Sequence, residues 1–159
     1  MSRIGISGHR GLRTSTARLV EAGITAELES YSSNELVGVS SLADGADAIF
    51  AKAVVDAGGQ LVVIVPAAKY RDGLPASHHP AYDNLLAAAT QVHRLDFEES
   101  TSEAHMAAAR QMLEIIDKLI AVWDGKPARG YGGTADVVAE ARRRSVPVTI
   151  VWPNGASRD

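Results

Sequence analysis

Leu119-Ile120-Ala121-Val122-Trp123 runs directly into Asp124-Gly125-Lys126-Pro127-Ala128-Arg129-Gly130-Tyr131-Gly132-Gly133-Thr134, and a helical pattern over residues 135–144 leads out. The arrangement predicts a strand that ends in a glycine-rich turn and feeds a helix. Such a turn suits an anion. Glycines let backbone N–H groups approach closely, and a helix N-terminus holds unsatisfied donors with a partial positive charge. Gly130, Gly132, Gly133 and Thr134 are therefore candidate phosphate ligands; Thr134 either caps the helix or turns its hydroxyl to the phosphate. The alternative is a long surface turn, glycine-rich only so that the chain can reverse.

The same alternation extends in both directions. Short apolar runs at 3–7, 36–40, 61–65, 91–95 and 148–152 read as strands. Helical patterns occupy 15–31, 44–57, 81–89 and 101–117. In the first of these, Ala17, Val20, Ile24, Leu28 and Tyr31 recur at helical spacing. The run Leu61-Val62-Val63-Ile64-Val65 is β-branched enough to be buried on both faces, and Pro66 is expected to end it. Strand–helix alternation of this kind predicts an α/β fold, Rossmann-like and doubly wound, with a mostly parallel six-stranded sheet and helices on both faces. One domain over 1–153 and a flexible tail over 154–159 are expected.

Composition narrows the function. The chain has 159 residues, 46% hydrophobic and 22% charged, which is ordinary for a globular protein. Its net charge of −3 offers no global basic field, so no nucleic-acid partner is expected. There is no cysteine, hence no disulfide or thiolate metal site. Of the five histidines, His78 and His79 are adjacent and would point apart on a strand, so no metal site is expected. The first residues reach Gly8-His9-Arg10 before a secretory apolar core forms, and no segment is long enough to span a bilayer. A cytoplasmic protein without a membrane partner is the expectation. Alanine-rich helices that pack closely also suggest a homo-oligomer.

In parallel α/β folds, ligands bind beyond the carboxyl ends of the strands, where strand order reverses. The loop after the first strand is Ser7-Gly8-His9-Arg10-Gly11-Leu12-Arg13-Thr14. Arg10 and Arg13 could clamp phosphate bidentately, and His9 could hydrogen-bond or transfer a proton. After the second strand, Gly45 and Ala46 keep the first helical turn slim, and Asp47 could accept from a ribose hydroxyl or complement the helix dipole. Ser41 or Asp44 is the expected N-cap. The Arg142-Arg143-Arg144 triplet reads as a solvated helix end.

Ile6-Ser7-Gly8-His9-Arg10, Gly45-Ala46-Asp47 and Asp124-Gly125 with Gly130-Tyr131-Gly132-Gly133-Thr134 together resemble the SLOG superfamily. That superfamily includes DprA, the LONELY GUY phosphoribohydrolases and stand-alone Rossmann-like nucleotide-binding proteins. The resemblance implies a site for a nucleotide or nucleotide derivative as ligand, with no other cofactor. Ser7, Gly8 and Arg10 match its first loop, Gly45 and Asp47 its second, and Gly132, Gly133 and Thr134 its phosphate-binding end. LONELY GUY enzymes carry Pro-Gly-Gly-x-Gly-Thr-x-x-Glu, with a catalytic glutamate. Here Val137 stands at the glutamate position and Arg129 at the proline.

A small nucleotide-binding sensor or carrier is therefore the leading expectation. The runner-up is a nucleotide N-glycosidic hydrolase of phosphoribohydrolase type, with Asp47, Asp124 and Asp136 as candidate catalytic carboxylates. An oligomeric scaffold module is the third.

Overall fold

The structure, a computed structural model, describes residues 1–158. Six strands form one parallel sheet: β1 (Ser2–Gly8), β2 (Leu36–Ser40), β3 (Gln60–Ala67), β4 (Gln91–Phe97), β5 (Lys118–Val122) and β6 (Val148–Ile150). Their order across the sheet is β4-β3-β2-β1-β5-β6. Five helices connect them: α1 (Thr14–Leu28), α2 (Ala46–Asp56), α3 (His79–Ala88), α4 (Ser102–Ile115) and α5 (Thr134–Arg143). From β1 the chain steps outward through β2 and β3 to β4. Then α4 returns it to the other side of β1, where β5 pairs with Gly8 opposite Val122. Strand order reverses between β1 and β5, so their two following loops leave the sheet side by side.

The helices cover both faces because each carries one apolar stripe. On one face Val20, Ile24 and Leu28 of α1 and Phe50 and Val54 of α2 pack on Ile4, Ile6 and Ile120. On the other, Met106, Met112 and Leu113 of α4 and Val137 and Ala141 of α5 pack on Val39, Val62, Ile64 and Leu119. A third cluster joins α2, α3 and β3, and it buries Tyr70 and Tyr82. Among the described residues, no helix is long and apolar enough to cross a membrane.

Boundaries differ from the sequence reading where backbone hydrogen bonding decides. Pro66 does not end β3, which continues to Ala67. Proline donates no N–H, so the β3–β4 ladder slips there, with a register shift between Val65 and Ala67. Neither Ser41 nor Asp44 is the N-cap of α2; Gly45 is, and Asp44 is engaged elsewhere. Thr134 is the first residue of α5, with Gly133 at the N-cap. The arginine triplet is not simply solvated. Arg143 and Arg144 both donate to the buried Glu140, and Arg142 lies over the Trp123 ring at 5.9 Å.

Candidate functional site

A cavity of about 260 Å³ opens beyond the carboxyl ends of β1, β2 and β3, against the first turn of α5. Of the candidates read from sequence, Ser7, Gly8, His9, Arg10, Asp47, Gly132, Gly133 and Thr134 line it together. Arg13, Gly45, Gly130, Asp124 and Asp136 are not in its wall. Gly45 instead supports that wall from behind. It holds φ +91°, and a Cβ there would lie 2.6 Å from the His9 carbonyl oxygen. That contact brings the β1 loop against the start of α2, where the Ala46 N–H donates to the His9 carbonyl at 3.2 Å.

His9 is buried, and its ring meets Trp152 edge-on at a centroid distance of 5.5 Å. Its Nε2 accepts the Asp124 N–H at 3.1 Å and lies 3.3 Å from Asp124 Oδ1. Burial, followed by the positive charge of Arg158, lowers the His9 pKa against the raising effect of Asp124. The imidazole is thus held neutral, which is what an Nε2 accepting an amide requires. For Asp124, burial pushes the pKa up. The Lys126 N–H at 3.0 Å, His9 and Arg158 outweigh it, and the net shift is downward.

Arg10 is not a free phosphate clamp. Its Nε donates to Asp44 Oδ1 at 2.9 Å and its Nη2 lies 2.8 Å from the same oxygen. The other oxygen of Asp44 accepts the Gly11 N–H at 3.0 Å. Asp44 is therefore fully employed in pinning the β1 loop.

Among the described residues, Asp47 is the one carboxylate that lines the cavity. It stands in the first turn of α2, and its backbone carbonyl accepts from Ser40 Oγ at 3.0 Å. Burial raises its pKa from 3.8 to about 7, against the lowering effects of the Ala43 N–H and of Arg10. A carboxyl group balanced between its two forms near neutrality can donate or accept a proton.

The glycine loop before α5 is partly self-satisfied. Gly132, at φ +87°, donates its N–H to Asp136 Oδ2 at 2.9 Å. Gly133 donates to the Gly130 carbonyl at 3.3 Å. Asp136 thus closes the loop on itself and is not among the residues that line the cavity. The first-turn amides of Thr134 and Ala135 receive no carbonyl from the helix itself and remain the donors at this end. Val137 lines the cavity one turn on, so α5 presents an apolar wall where the resemblance places a glutamate.

Sequence reasoning missed several lining residues, among them Tyr70, His105, Met112 and Arg158. Tyr70 and His105 meet with ring centroids 5.6 Å apart, and His105 Nε2 is 2.8 Å from Ser100 Oγ. Burial lowers the His105 pKa, with Arg10 adding to it. Tyr70 lies in the connection between β3 and α3. His105 stands on α4 among residues that pack on the sheet, and nothing in its spacing marks it as a cavity residue. Met112 packs in the core beneath α4 and also reaches the cavity. Arg158 enters from the segment after β6, where nothing local marked it.

No protein-family model and no curated protein matches the sequence. Solved structures do. DNA processing protein A (DprA) from Streptococcus pneumoniae aligns at a TM-score of 0.67 and 20% identity, over 94% of this chain and 50% of that one. DprA from Helicobacter pylori, whose structure addresses its single-stranded DNA binding mode, aligns at 0.66 and 17%, over 98% of this chain and 68% of its own. The molybdenum cofactor carrier protein from Chlamydomonas reinhardtii aligns at 0.59 and 15%, over 97% and 78% respectively. This chain spans half the length of the S. pneumoniae protein. The expectation of no nucleic-acid partner is corrected by these structures, because a protein of the same fold binds single-stranded DNA. Net charge is a sum over the whole surface and does not exclude a local cationic site. At these identities the likeness is one of architecture: the chain shares with these proteins a Rossmann-like parallel α/β fold.

Proposed function

We propose that this protein binds a small phosphate-bearing ligand, a nucleotide or nucleotide derivative, in the cavity at the β1–β5 reversal. The observation that carries the reading is convergence. One cavity, at the position where parallel α/β sheets bind ligands, gathers Arg10, Arg158, His105 and the first turn of α5 beside an apolar wall of Ile6, Pro66 and Val137. The arginine charge and the helix amides suit a phosphate; the apolar wall suits a ring. A volume of about 260 Å³ favours a compact ligand, since ligand pockets run from roughly 300 to 1,000 Å³. The fold is shared with a molybdenum cofactor carrier and with DprA, so the molybdenum cofactor and the nucleotides of a single strand both belong among the candidates.

The test is a thermal-shift screen with nucleoside mono-, di- and triphosphates, cyclic nucleotides, NAD derivatives and a short oligothymidylate. A ligand at a hundred times its Kd stabilises the native state by about 2.7 kcal/mol, which gives a readable shift. A selective shift is the expected result; no shift across the panel would defeat the nucleotide reading. Asp136→Ala should then tighten binding of the responding phosphate by about tenfold, because it frees the Gly132 N–H and removes a negative charge. Unchanged affinity in that variant would place the phosphate away from the α5 loop.

A second reading has one observation in its favour. Asp47, the acid in the cavity wall, is balanced near neutral pH, as a general acid for N-glycosidic cleavage would be. Incubation of nucleoside monophosphates with the protein, followed by chromatography for free base, decides it.

A further inference from the structure

We infer that Arg158 is the residue that grips the anionic group of the ligand, and that residues 153–158 are a strap that delivers it. The inference rests on the ligand reading above, but not on the glycine loop as such. After β6 the chain stays fastened to the sheet through the Val151 N–H, which donates to the Ala121 carbonyl at 2.8 Å. It then turns at Pro153, whose carbonyl accepts the Ala156 N–H at 3.0 Å. Next it is clasped to α1. The Ser157 N–H donates to Thr16 Oγ1 at 3.1 Å, and that hydroxyl donates to the Ser157 carbonyl at 3.2 Å. Thr16 is fully buried, so the clasp is a fixed point rather than a surface contact. The next residue is Arg158, whose side chain is 21% exposed and lines the cavity.

Elimination among the cations leads to the same residue. Arg10 is locked to Asp44, and breaking that pair would strip the β1 loop of its anchor. Arg158 carries no such obligation. Its Nη1 lies 3.6 Å from Asp124 Oδ2, longer than a hydrogen bond. Asp124 has its own partners in the Lys126 N–H at 3.0 Å and His9 at 3.3 Å. An incoming phosphate can therefore draw Arg158 away without orphaning the aspartate. The guanidinium and the first-turn amides of α5 border one cavity, and together they form a receptor for a phosphate monoester built from two distant parts of the chain.

The experiment is isothermal titration of the wild-type protein, R158Q and R158K. The probes are inorganic phosphate, the four common nucleoside 5′-monophosphates and the matching nucleosides. Circular dichroism without ligand first confirms that each variant is folded. The wild type should prefer a monophosphate to its nucleoside. R158Q should lose that preference, with monophosphate affinity falling about tenfold or more and nucleoside affinity unchanged. R158K should retain part of it. T16V, which removes the clasp, should lower monophosphate affinity by a smaller factor, and T16S should restore it. A wild-type preference that survives intact in R158Q overturns the inference and leaves the ligand reading standing. Equal losses for monophosphate and nucleoside also overturn it. A wild type that binds none of the probes overturns both.

Discussion

Gly45→Ala is expected to destabilise the protein by about 3 kcal/mol or more and to abolish ligand binding with it. Two costs coincide at this position. The backbone holds φ +91° and ψ −132°, a conformation that side chains other than hydrogen rarely allow. The added Cβ would also lie 2.6 Å from the His9 carbonyl oxygen and 3.0 Å from Arg10 Cα. Both neighbours are backbone, so relief requires the whole β1 loop to retreat. That movement pulls apart His9, Arg10 and the start of α2. Urea denaturation monitored by circular dichroism should show a lower midpoint with a similar m-value. A midpoint within experimental error of wild type would mean that this junction is far more compliant than its geometry indicates.

Asp47→Asn should act in the opposite direction, and its effect should depend on pH. The folded-state pKa of Asp47 is raised from 3.8 to about 7, so between those values the folded protein holds a proton that the unfolded chain has released. Stability from this group is therefore full below about pH 4 and is lost as pH rises through 7. The shift corresponds to at most about 4 kcal/mol. At pH 8 the Asn variant should be more stable than wild type by up to that amount, and at pH 4 the difference should vanish. His9 and His105 have lowered pKa values, so their contribution is lost as pH falls below 6.5. They affect wild type and variant alike, and the difference between the two curves isolates Asp47. Parallel curves across pH 4–8 would show that the carboxyl is ionised throughout.

Much of the fold was legible because it is written in local patterns. Residues 36–40 were read as a strand and form β2 with the same bounds, since a continuous apolar run between polar turns leaves no other structure. The order of the strands was not legible in this way, because pairing across the sheet joins residues far apart in sequence. Pro66 misled because its local rule, no N–H to donate, was met by a ladder slip instead of a strand end. Asp44 misled in a similar way. As an N-cap it would serve its own helix, yet Arg10 and Gly11, 34 and 33 residues away in sequence, claim both of its oxygens.

The site was legible only in its local half. Gly132, Gly133 and Thr134 could be placed because a strand, a glycine turn and a helix are consecutive. The commitment of Gly132 to Asp136 depends on the turn's three-dimensional course, which spacing does not give. Arg158 and His105 join the cavity by long-range packing. No periodicity connects Arg158 to Asp124 or Ser157 to Thr16, so their role emerges only once the chain is folded.

The edge-on contact between His9 and Trp152 has an optical consequence. The chain holds two tryptophans, and they sit in different electronic surroundings: Trp152 against a neutral imidazole, Trp123 beneath the Arg142 guanidinium. A protonated imidazole quenches indole emission, whereas a neutral one does so weakly. Trp152 is thus a built-in fluorophore that reports the charge state of a residue in the cavity wall. An anion arriving beside His9 makes protonation easier and should shift the quenching midpoint toward higher pH. With Trp123→Phe to silence the second emitter, occupancy of the site can be followed by fluorescence without any label.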